Sequence, residues 1–228
     1  MKTLKLIFVA SLALASSYAA RAGLSAQAWL ETYYLNPQPA ELTRNLTALS
    51  REGYFEQPGH IALAIGFIST VFTQNPERID GWVAELGDLP LRHQRLIASA
   101  LWQVGHPLGA VLLHKLGATS SVRSDIERLA DTPSLALADT PVHSASSMNL
   151  MWGAFLASGD ERYIISVLEA IGTNQPGLDS AARVALAQNA AAHPRVMEIC
   201  RAQLDRQPEE VRGVLRAALN DAAAKPRT

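Results

Sequence analysis

The chain has 228 residues, with 20 basic against 21 acidic side chains and a formal net charge of −1. That balance offers no electrostatic footprint for nucleic acid or for an anionic membrane surface, so neither is an expected partner. Cys200 stands alone, which excludes an internal disulfide and leaves burial to hold the fold.

Lys2 and Lys5, the apolar run Leu6 to Ala15 and the small-x-small triplet Ala20-Arg21-Ala22 follow the order of a cleavable secretory signal. The run is shorter than the roughly 20 apolar residues a bilayer span needs. Removing residues 1–22 leaves 17 basic against 21 acidic residues, a net charge of −4. The expected location is therefore the periplasm or the exterior, with residues 23–228 forming one domain that has no transmembrane anchor.

Beyond the leader, apolar residues recur with helical spacing almost throughout. Ile79, Trp82, Val83 and Leu86 make one single-sided stripe, Tyr163, Ile164, Val167 and Leu168 a second, and Val211, Val214, Leu215 and Ala218 a third. Proline follows Asn75, His106, His193 and Gln207 at positions where a helix can start without losing a bonded N–H. Four helix pairs result: 61–73 with 76–86, 92–104 with 107–116, 147–157 with 160–171, and 180–192 with 194–204. The first helix of each pair is mostly apolar and the second amphipathic. The breaks at Asn75, His106, Gly159 and His193 are spaced by 31, 53 and 34 residues. The long middle interval contains an insertion near 118–143, read as a short helix and an irregular loop. The expected fold is all-α, antiparallel helix pairs stacked as a short solenoid-like array, with an irregular helical bundle as the alternative.

The segment Leu156 to Tyr163 ahead of Ile164 to Ile171 resembles the turn-then-amphipathic-helix form of tetratricopeptide-like helix-pair repeats. Trp29–Pro37, Trp152–Tyr163 and His193–Leu204 resemble exported bacterial helical proteins. The resemblance implies helix stacking and export. It transfers no functional residue.

Chemical motifs are sparse. The six histidines include His106 and His114, eight residues apart, but neither lies in the i, i+4 spacing of a helical metal site. His143 with Ser146 lacks a nucleophile elbow, and the neighbouring serines read as a helix cap. Asp160-Glu161-Arg162 reads as a helix start, and Cys200 as a small core residue. Gly105 and Gly109 flank Pro107 without a preceding strand, so no phosphate loop is expected. Neither a cofactor nor a metal site is expected.

Aromatic residues offer the remaining signal. Trp29, Tyr33 and Tyr34 cluster at the start of the mature chain and are the expected partner-binding residues, since Trp and Tyr are favoured anchors. The leading expectation is an exported helical binding or scaffold protein that takes a protein or peptide. The alternatives are an envelope hydrolase or its accessory subunit, with a site near 118–143 holding at least two of His143, Asp139, Asp131 and Glu127 in a closed pocket, and a self-associating envelope protein.

Overall fold

A computed structural model describes residues 24–105, 108–119, 123–132, 136–173, 175 and 177–224. The expected signal segment and His106 lie outside the described residues. Twelve α-helices and several short 3-10 turns are described and, among the described residues, no strand. No helix among them is long and apolar enough to cross a membrane.

The helices are α1 Ala26–Thr32, α2 Leu42–Arg51, α3 His60–Gln74, α4 Ile79–Glu85, α5 Leu91–Gln103, α6 Leu108–Thr119, α7 Arg123–Ala130, α8 Ala145–Ser158, α9 Glu161–Glu169, α10 Leu178–Ala192, α11 Pro194–Gln203 and α12 Glu209–Ala224. All four expected pairs are present, as α3–α4, α5–α6, α8–α9 and α10–α11. The insertion contains α7 and a 3-10 turn over Leu137–Asp139.

Local chemistry explains the ends. Ser144 caps α8 reciprocally with Ser147, so two otherwise unpaired N–H groups are bonded there. Asp160 accepts the Arg162 N–H at the start of α9. Gly159, at φ 68°, lets the chain leave α8 and enter α9 at once.

Helices α3 and α8 are buried on nearly every side from Ala62 to Phe72 and from Met151 to Ala157, as expected for helices apolar all round. They pack on each other more extensively than any other two helices. The approach is close enough that a Cβ on Gly66 would lie 2.0 Å from the Leu150 carbonyl oxygen, and one on Gly153 would lie 1.9 Å from that of Leu63. Only glycine permits such contact between backbones.

This crossing sets the topology. In a solenoid stacked in chain order, the α5–α6 pair would separate α3 from α8. Instead α5 rests on α3 and α6, α3 meets α8 directly, and α8 is followed by α9 and α10. The all-α architecture of helix pairs is as expected. The direct α3–α8 contact departs from stacking in chain order and is compatible with the irregular-bundle alternative; the deepest apolar surfaces of the two helices are buried against each other.

Candidate functional site

The aromatic cluster divides between core and surface. Trp29 is 4% exposed and Tyr33 2%. Their rings meet each other and Phe67 in three edge-to-face contacts, with centroids 5.1 to 5.5 Å apart. Rings so enclosed present no face to a partner, and their role is to fasten α1 and the following turn onto α3 and α8. Phe67, which helps to bury them, lies far away in the chain, so spacing alone groups them with Tyr34.

Tyr34 differs. The 3-10 turn Tyr33–Leu35 points it outward from α1, half-buried, along a groove of about 480 Å³. Its ring tilts over Phe155 at 5.2 Å and meets His193 edge-on at 5.8 Å. It also covers Gly159, whose missing Cβ would lie 3.3 Å from the ring. Tyr34 therefore sits where the α8–α9 and α10–α11 breaks come together, two breaks marked by Gly159 and His193 in the sequence.

The groove has two characters. Leu35, Leu63, Leu156 and Tyr54 give it apolar walls, and Leu35 is 67% exposed. Gln27, Glu31, Gln188 and Asn189 supply amides and a carboxylate. Glu31 accepts a 2.8 Å hydrogen bond from Gln27. His60 lies against the Tyr54 ring at 4.1 Å and its Nδ1 is 3.1 Å from the Tyr54 carbonyl.

Titration in the groove follows burial. Burial raises the Tyr34 hydroxyl above its usual range, and the Glu198 charge adds to that. Burial pushes Tyr54 up to about 12, again helped by a carboxylate, Glu31. Burial lowers His193, with partial opposition from Glu31. All three thus stay neutral near pH 7, and these uncharged rings lie beside the Glu31 side chain. Tyr34 Oη and His193 Nδ1 are 3.5 Å apart, too long for a strong hydrogen bond.

A second constellation escapes sequence reasoning. Ser50 Oγ lies 2.7 Å from His93 Nδ1, and His93 Nε2 lies 3.3 Å from Glu56 Oε1. The residue types are those of a hydrolase triad, but the surroundings are not. His93 is only 2% exposed, and Phe55 covers its ring edge-on. The Glu56 contact is off the N–H direction, so Nε2 makes no directed hydrogen bond, and Arg92 holds the same carboxylate at 2.7 Å. Ser50 stands in the last turn of α2, where the helix presents carbonyls rather than the N–H donors an oxyanion requires. The trio is a polar strut tying α2 and the turn at Tyr54–Glu56 to α5. Nothing in sequence spacing signals a pairing across 43 residues.

The other expected positions resolve plainly. Ser147 and Ser144 form the α8 cap, while Ser146 and His143 are exposed beside it. Asp131, Asp139 and Glu127 are also exposed, and Glu127 pairs with Arg123 at 2.7 Å. His114 is exposed. Cys200 is fully buried and its thiol is pushed up to about 12 by burial. Among the described residues, no group of three or more His, Cys, Asp or Glu side chains could hold a metal ion.

Comparison with protein-family models, curated proteins and solved structures finds no match to this chain.

Proposed function

We propose that this chain is an exported helical binding protein, acting in the periplasm or outside the cell, and that it holds an extended peptide segment of a protein partner in the groove around Tyr34. The observation that supports this reading is the lining of that groove. Exposed Leu35 and half-buried Tyr34 give a partner apolar and aromatic surface to cover, and both sit on a turn fixed by the buried Trp29–Tyr33–Phe67 cluster. A preformed aromatic anchor loses little conformational freedom on binding. Gln27, Gln188 and Asn189 can bond a peptide backbone, whose N–H and C=O groups need both donors and acceptors. Glu31 favours a segment with a basic residue beside its apolar one.

The test is selection of binding peptides from a random display library against the full-length chain. Selected sequences should pair an apolar residue with Lys or Arg. Their affinity should fall about ten-fold or more for Tyr34→Ala or Leu35→Asp, the loss typical of an anchor residue. Peptides that bind both variants as well as the parent chain would remove the groove from consideration.

A further inference from the structure

The groove lies at the N-terminal end of α3. At the other end of that helix is a separate cleft of about 280 Å³. Three helices finish on it: Gln74 ends α3, Gln103 ends α5 and Ser158 ends α8, and all three residues line the cleft. A helix C-terminus carries a partial negative charge and carbonyls without intrahelical partners.

The side chains have the same polarity. Thr70, Thr73 and Ser158 donate their hydroxyl protons to carbonyls of their own helices, at 2.8 Å in each case. What remains of each is acceptor capacity. Asp160 is partly buried, which alone would raise its pKa. The hydrogen bonds and charge of Arg162 outweigh that and hold it below the usual carboxylate range, so it is ionised. Arg162 is itself mostly exposed and engaged with Asp160 at 2.7 Å, forming an outer wall.

The deciding group is Gln103. It is 8% exposed, it lines the cleft, and its Oε1 is buried with no hydrogen-bond partner. A buried acceptor left unbonded is costly, and such groups are rare in folded proteins. Among the described residues of the lining, the one positive donor, Arg162, is engaged with Asp160, and nothing donates to Gln103 Oε1.

We propose that this cleft binds a primary alkylammonium group, donating to Gln103 Oε1 and the neighbouring helix-end carbonyls under the charge of Asp160. An ammonium ion has three N–H donors and no acceptor, so it leaves nothing unmatched in such surroundings. Phosphate and carboxylate have the wrong charge. Sugars have donors but lack the positive charge that three helix C-termini favour. The volume suits a short aliphatic amine or one lysine side chain. The cleft shares no lining residue with the Tyr34 groove, and its occupancy does not depend on that groove's function.

The experiment is a titration of the full-length, ¹⁵N-labelled chain with putrescine, and in parallel with N-acetyl-lysine methylamide, following backbone amide shifts. Saturable shifts centred on Val104, Gly105 and Asp160 are expected. The tighter of the two probes identifies the source as a free amine or a polypeptide side chain. Gln103→Leu should weaken binding about ten-fold, the loss expected for one charge-assisted hydrogen bond. Its melting temperature should hold or rise, because it removes an unbonded buried acceptor. Arg162→Gln should tighten binding by removing a competing cation, and Tyr34→Ala should leave it unchanged. The proposal is overturned if neither probe saturates, if glucose or phosphate produces the same shifts as putrescine, or if Gln103→Leu binds both probes as well as the parent chain.

Discussion

Gly153 of α8 lies directly against the Leu63 carbonyl of α3, with no room for even one additional carbon between them. Substitution there cannot be relieved by turning a side chain, since the obstacle is backbone. Gly153→Ala should destabilise the fold by about 3 kcal/mol or more, through overpacking at the centre of the core. Gly213 lies in the interior of α12, and a Cβ added to it would meet nothing within 4 Å. There the same change should stabilise by about 0.5–1 kcal/mol through helix propensity. Chemical denaturation of the two variants checks the opposite signs. Equal effects would mean that α3 and α8 do not approach this closely.

Acid should weaken the protein through two buried histidines. Burial lowers His93 despite its Glu56 neighbour, and burial lowers His193 despite Glu31. Below the unfolded histidine pKa of about 6.5, the unfolded chain therefore binds more protons than the folded one. The stability contributed by keeping these rings neutral is complete above that pH. It is lost as pH falls through about 6.5 toward the lower folded values, with a slope of at most about 1.4 kcal/mol per pH unit for each ring. Melting curves between about pH 7.5 and 5 should show the decline, and His93→Phe should flatten it. An unchanged slope in that variant would place the titrating group elsewhere.

Ser50 should resist a serine-directed fluorophosphonate, because the Ser50–His93–Glu56 trio has neither oxyanion donors nor an open approach to the histidine. Ser50→Ala should instead cost about 1–3 kcal/mol of stability, by leaving His93 Nδ1 buried without a partner. Covalent labelling of Ser50, read by mass spectrometry, would turn the strut into an active site and reinstate the hydrolase reading.

Cys200 should react with a disulfide reagent only as the chain unfolds. Its sulfur is enclosed and burial pushes its thiol up to about 12, so the nucleophilic thiolate is almost absent at neutral pH. Release of the chromophore should follow the denaturation curve. Fast reaction in the native protein would show that α11 opens readily.

The legible part of this fold is local. Proline after Asn75 and His193, glycine at 159 and the stripes around Trp82 and Tyr163 act within a few residues, and each marks a helix the structure contains. The assembly is not legible in the same way. Gly66 and Gly153 look like ordinary small residues in apolar helices until the helices cross. Trp29, Tyr33 and Tyr34 look alike by spacing, yet Phe67 encloses the first two while the turn after α1 turns the third outward. Ser50 with His93, and Gln103 with Asp160, are brought together by packing between helices distant in sequence. No period or motif encodes such neighbours.

The meeting of α3 with α8 also has a kinetic consequence. Gly66 and its contact at Leu150 are 84 residues apart in the chain. A growing or translocating polypeptide exposes the all-round greasy α3 well before its mate arrives. Closing so large a loop is slow compared with forming neighbouring hairpins. Until then, the most water-averse helix has only α5 and the aromatic residues of α1 and its following turn to shelter it. Early release of the half-made chain would therefore invite clumping, and a holding chaperone along the way would be most valuable in the interval between the emergence of Gln74 and that of Ala145.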